Sequence, residues 1–102
     1  MIEKLVRDKI PEIVIDAGET ITFRREFCTE ARKDLLWLKL KEEIEELKGA
    51  NGTHQREEEL ADVITVLCAI CNADIDDIRT AMMDKEQNKG GFEKYYVMEI
   101  KN

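Results

Sequence analysis

The chain has 102 residues, 43% apolar and 38% charged, the balance of a soluble globular protein with a crowded charged surface. Its 23 Asp and Glu outnumber 16 Lys and Arg, giving a net charge of −7, which argues against broad binding to a nucleic-acid polymer or an anionic membrane. There is no serine and one histidine, His54, so a Ser-His-Asp triad and a His-rich metal site are excluded.

Residues 1–102 are read as one domain, the size at which roughly 65% of the unfolded chain's surface is buried around a single core. The first nine residues carry charges where a signal peptide needs an apolar run. No stretch approaches the roughly 20 apolar residues of a membrane span. Three cysteines without framework spacing suit a reducing compartment. The expectation is a cytoplasmic protein with no membrane partner.

In chain order, Asp8 is placed to cap a short helix, with Pro11 tolerated in its first turn and Gly18 stopping it. Thr20 to Arg25 alternate roughly, with β-branched and aromatic content, and are expected to form a short strand. Thr29 can cap a long helix running to about Lys48, because Leu36, Leu40, Ile44 and Leu47 recur at three- and four-residue spacing. Gly49-Ala50-Asn51-Gly52 ends it. A second helix is expected from about Gln55 to Asn72, with Leu60, Val63, Val66, Leu67 and Ile70 as its apolar face. So short a connection favours an antiparallel hairpin.

Asp74 is an N-cap candidate for the next helix, whose stripe is Ile75, Ile78, Ala81 and Met82 and whose stop is Gly90-Gly91. The tail from Phe92 to Ile100 is expected to contain a strand that pairs with residues 20–25, with one of Tyr95 and Tyr96 facing inward. The fold class is therefore mainly α: a helical bundle built on an antiparallel helical hairpin, with a minor two-stranded β element. One hairpin leaves much apolar surface uncovered, so the bundle is expected to be oligomeric. Cys68-Ala69-Ile70-Cys71 falls mid-helix among apolar residues and reads as buried small side chains rather than a redox pair.

The carboxylates of the two central helices carry the chemistry. At 100° per residue, Leu36, Leu47 and Leu40 lie about 20°, 40° and 60° from Glu43, so Glu43 sits inside the apolar arc. Glu46 is one turn along. On the second helix Val66, Ile70 and Val63 lie within about 40° of Glu59, with Asp62 one turn along. Each helix offers two acids at i and i+3, projecting from one side. Packed face to face, the helices bring four carboxylates together, and such a cluster needs protonation or bound cations. Residues 42–62 hold eight acids against Lys48 and Arg56, which favours cations. Carboxylate oxygens suit Mg²⁺, with Mn²⁺ as a substitute. Glu42, Glu45, Glu57 and Glu58 fit the commoner reading of a Glu-rich helix, a solvated face.

Glu42-Glu43-Ile44-Glu45-Glu46 reads E-E-x-x-E, and Glu59-Leu60-Ala61-Asp62 reads E-x-x-D after twelve intervening residues. This resembles the signature of the MazG-type, all-α nucleoside triphosphate pyrophosphohydrolases. Leu5-Val6-Arg7-Asp8-Lys9-Ile10-Pro11-Glu12 is similar to the N-terminal segment of the family's small stand-alone branch. Lys85 with Lys89-Gly90-Gly91-Phe92 is similar to its closing motif.

The resemblance implies hydrolysis between the α and β phosphates to a monophosphate and pyrophosphate, a reaction by which many members clear damaged nucleotides. It implies Glu43, Glu46, Glu59 and Asp62 as Mg²⁺ ligands, and Glu42 as a residue that orients a ligand or positions water. Glu42 and Glu43 are thus the catalytic candidates. Arg7, Lys9, Lys85 and Lys89 are the candidates for holding phosphates, and a homodimer or homotetramer is the expected assembly. Lys89 stands where the family more often has Arg, and Thr65 where many relatives have a further Glu. Two other readings stand beside this one: hydrolysis of phosphoribosyl-ATP, and a non-catalytic helical module that dimerises or binds a nucleotide.

Overall fold

The computed structural model describes residues 3–101. It is mainly α, with four helices and no strand among the described residues: α1 (Ile10–Asp16), α2 (Thr29–Lys48), α3 (Thr53–Cys71) and α4 (Ile75–Lys89). The chain forms two compact units, residues 1–72 and 73–102. No described helix is long and apolar enough to cross a membrane.

In the first unit α2 and α3 pack on one another. Leu40, Val63 and Val66 are buried between them, with Leu36, Ile44, Leu47 and Ile70 packed around. These are the residues whose spacing marked the apolar faces, so 3.6-residue periodicity set this contact directly. Leu60 and Leu67, placed on the same face by spacing, remain substantially exposed. They lie at the margins of the stripe, beyond the reach of a single partner helix.

The helix ends follow local chemistry, with three departures from expectation. Thr29 is the first helical residue and Cys28 the cap. The cap of α1 is Lys9, not Asp8, and no side chain bonds there. Instead the Ile10 N–H donates to the Arg7 carbonyl at 3.0 Å, so a backbone turn replaces the aspartate. The α3 helix starts at Thr53, two residues early, after Gly52 at φ +82°. Gln55 reaches back from its first turn to accept the N–H of Asn51, one residue before the cap, at 2.9 Å. At its other end Asn72 adopts the left-handed conformation, which asparagine tolerates better than most residues.

The expected two-stranded β element is not seen. Residues 20–25 form no regular structure, and the Arg24 guanidinium there is engaged with Glu3 and Glu26. In the tail, the Tyr95 N–H donates to the Phe92 carbonyl at 3.3 Å and Tyr95 has φ +52°. That turn interrupts the extended run, and a strand without a ladder partner has nothing to hold it. Tyr95 and Tyr96 are both exposed, so neither faces inward. Cys68 is half-buried and Cys71 exposed, which corrects the expectation that both are core residues: Cys71 closes α3 and has left the packed stripe.

In the second unit Asp74 caps α4 as its position predicts, its side chain accepting the Asp76 N–H at 2.8 Å. Asp74→Ala is expected to cost about 0.5–2 kcal/mol of local helix stability. Faster hydrogen exchange at the Asp76 and Asp77 amides, with α3 unchanged, is the readout. The α4 stripe is largely uncovered: Ile75, Ile78 and Met82 are exposed, as are Met83 and the tail residues from Tyr95 to Met98.

Candidate metal centre

The shared face of α2 and α3 carries the acids as well as the core. Glu43 follows Leu40 on α2, and Asp62 precedes Val63 on α3. Glu43 is 5% exposed, the one buried charged residue among those described. Oxygens of Glu43, Glu59 and Asp62 lie within 4.8 Å of one another. So do oxygens of Glu42, Glu43 and Glu46. Glu43 is common to both groups, and Glu59, Asp62 and Glu42 are half-buried while Glu46 is exposed. Glu45, Glu57 and Glu58 face solvent, so the acids of this segment divide between a clustered face and a solvated one.

Cations partly offset the cluster. Arg7 Nη2 lies 2.6 Å from Asp62 Oδ1 and donates to it. Lys39 Nζ lies 3.0 Å from Glu43 Oε1 and 3.5 Å from Glu42 Oε1. Lys4 Nζ lies 3.0 Å from Glu42 Oε1. The neutralisation is incomplete: Glu43 Oε2 and Glu59 Oε2 are buried with no hydrogen-bond partner among the described residues. Desolvated carboxylate oxygens without donors are costly, and they are hard donors of the type that Mg²⁺ and Mn²⁺ take. The residues present therefore fit a divalent cation on chemistry and burial.

The carboxylates respond to these neighbours. The hydrogen bond from Lys4 holds Glu42 below its ordinary pKa, outweighing the opposing effect of burial, with help from the charge of Lys39. At Lys39 burial disfavours the ammonium, but the hydrogen bond and charge of Glu43, joined by Glu42, outweigh it and raise the pKa. Glu46 is raised, first by the negative charge of Glu43, then by burial and by contact with Glu43, with smaller repulsion from Glu59 and Glu42.

Because Glu46 holds its proton more tightly in the folded chain, its contribution to stability is fullest below the unfolded carboxylate pKa. It is lost as pH rises through the raised folded value. Glu46→Gln is therefore expected to raise the thermal midpoint of the metal-free protein near neutral pH, with the two curves converging near about pH 4. Circular dichroism melts across that range check it. A variant no more stable than the wild type at neutral pH would show that repulsion at Glu46 is not felt.

Beside the acids is a cavity of about 320 Å³ in the first unit. Arg7, Asp8, Lys39, Glu43 and Asp62 give it charged walls, and Leu5, Val6, Leu36, Val66 and Ala69 give it an apolar side. Thr65 also lines it, its hydroxyl donating to the Ala61 carbonyl at 2.8 Å, so this position adds no carboxylate. Of the predicted phosphate-holding residues, Arg7 is in the cavity wall. Lys9 caps α1 and is exposed. Lys85 and Lys89 are exposed residues of α4 in the second unit. Lys39 and Asp8 were not predicted as site residues. Lys39 was detectable, because it stands three and four residues before Glu42 and Glu43, the spacing of a same-face ion pair.

No protein-family model matches the chain, and neither a curated protein nor a solved structure does.

Proposed function

We propose that the protein is a Mg²⁺-dependent nucleoside triphosphate pyrophosphohydrolase of the MazG type, releasing a nucleoside monophosphate and pyrophosphate, with clearance of unwanted nucleotides as its role. The observation that carries the reading is Glu43, buried with one oxygen unpartnered and within ligating distance of Glu59 and Asp62, at the edge of a cavity that also holds Arg7 and Lys39. An acid cluster serving only as surface would be solvated. One serving only as structure would have its oxygens satisfied.

Glu43, Glu46, Glu59 and Asp62 would hold the cation, with Mn²⁺ able to replace Mg²⁺. The chemistry such an ion supplies is neutralisation of phosphate charge and activation of water for attack on phosphorus. Glu42, adjacent to Glu43 and itself held ionised by Lys4, orients the ligand set or positions the water. Arg7 offers the planar fork that matches a phosphate. Lys9, Lys85 and Lys89 are assigned to the same substrate charge by the resemblance alone. The apolar wall of Leu5, Val6 and Leu36 suits a nucleobase or the sugar's apolar face.

The bundle is an antiparallel helical hairpin that works as a homodimer or homotetramer in the cytoplasm. What supports assembly is the small core. Leu40, Ala50, Val63 and Val66 are the buried apolar residues among those described, while Trp37, Leu38, Leu60 and Met82 are exposed. A chain of this size seldom stands on so few.

The test is pyrophosphate release from a panel of ordinary and modified nucleoside triphosphates with Mg²⁺, with Mn²⁺ and with EDTA. Metal-dependent release of monophosphate and pyrophosphate is the expected result. No release from a folded, metal-binding protein transfers the assignment to phosphoribosyl-ATP. No metal binding leaves a helical dimerisation or nucleotide-binding module.

A further inference from the structure

We propose that Lys39 is the resident counter-ion of the carboxylate cluster and a phosphate-positioning residue, its ammonium leaving Glu43 for substrate phosphate when the carboxylates take a divalent cation. This rests on the metal-dependent reading above. Lys39 is half-buried, its side chain 16% exposed, and its Nζ is shared between Glu43 and Glu42. A lysine normally keeps its ammonium in water. Here it is drawn under the surface by the acids it faces, on the same helix and the same side.

The arrangement is half-finished electrically. Lys39 satisfies Glu43 Oε1, Arg7 satisfies Asp62 Oδ1, and Glu43 Oε2 and Glu59 Oε2 meet no donor among the described residues. The ammonium groups of Lys39 and Lys4 and the guanidinium of Arg7 thus stabilise the metal-free cluster without completing it. A divalent ion held by the same oxygens would repel the ammonium of Lys39. The four-carbon stem of Lys39 lets Nζ leave Glu43 by side-chain rotation alone. The cavity that it lines with Arg7 is where an anion would receive it.

Two consequences follow from this placement. Lys39 weakens binding of metal alone, because its charge must be displaced. It also couples metal to phosphate, because a phosphate gives the displaced ammonium a partner, and such coupling is reciprocal.

The experiment titrates Mn²⁺ alone, by calorimetry and by the loss of its free spin-resonance signal, into wild type, Lys39→Met, Lys39→Gln and Lys39→Arg. It then repeats the titrations with pyrophosphate present. The neutral variants are expected to bind Mn²⁺ about tenfold more tightly than wild type, with Lys39→Arg close to wild type. Pyrophosphate is expected to tighten Mn²⁺ binding in wild type and to do so less in the neutral variants. Two different neutral side chains guard against one failing to fold. Mn²⁺ binding in wild type with equal or weaker binding in both folded neutral variants overturns the role of Lys39 and leaves the metal reading standing. No Mn²⁺ binding by wild type overturns both.

Discussion

Glu43→Gln is expected to lower pyrophosphate release on the order of 10²–10³-fold while the chain stays folded. The substitution keeps the shape of the side chain but removes the charge shared by both acid groups. Lys39 retains Glu42 at 3.5 Å, so no cation is stranded and the metal-free fold loses little. Asp62→Asn should also suppress turnover, but it removes the partner of Arg7 as well. Its effect therefore mixes lost ligation with a freed guanidinium. Steady-state rates at saturating Mg²⁺, together with a Mn²⁺ titration, separate the two. Full turnover in a correctly folded Glu43→Gln protein would remove Glu43 from the reaction and with it the main support for the proposed chemistry. A non-catalytic module would show no turnover to lose.

Leu40→Ala is expected to be the most damaging single truncation of the first unit. Leu40 is buried against Val63 and Val66, with few other buried side chains to share the load. Such truncations cost about 2–5 kcal/mol, against a total of about 5–15 kcal/mol for a typical domain. At roughly 4–8 °C per kcal/mol for a chain of this size, the thermal midpoint should fall by about 8–40 °C. Leu60→Ala is the control. Leu60 is also on α3 but exposed, and its truncation should cost well under about 1 kcal/mol. Both melts belong at one protein concentration, since an assembled chain gains stability by mass action. Equal, small losses from the two variants would mean that the α2–α3 contact is not the core of this unit.

Helix positions were legible in the residues because the signals are local. Periodic Leu, Ile and Val positions marked α2 and α3, Asp74 marked the start of α4, and Gly90 marked its end. The caps of α1 and α3 were less legible. The Ile10 amide is served by a backbone turn, and before α3 the Asn51 amide by Gln55 reaching back from inside the helix, and neither has a strong residue signature. The two expected strands misled because alternation reports a strand only if a ladder partner exists. Neither residues 20–25 nor the tail has one among the described residues.

The sequence by itself determined which acids share a helix face, since 100° per residue is a property of the backbone and puts Glu43, Glu46, Glu59 and Asp62 beside the apolar stripes. It also excluded a Ser-His-Asp triad and a His-rich metal site, because there is no serine and a single histidine. Only the tertiary structure decided how deeply each acid lies and what neutralises it. Burial of Glu43 depends on α3 packing over it, and the pairing of Asp62 depends on Arg7 arriving from a segment 55 residues away. Distances across such separations are fixed by packing, and no local pattern encodes them. Lys39 stands between the two cases. Its spacing from Glu43 was in the sequence, but its value as a half-buried counter-ion appeared only once the packed helices removed much of the water from around it.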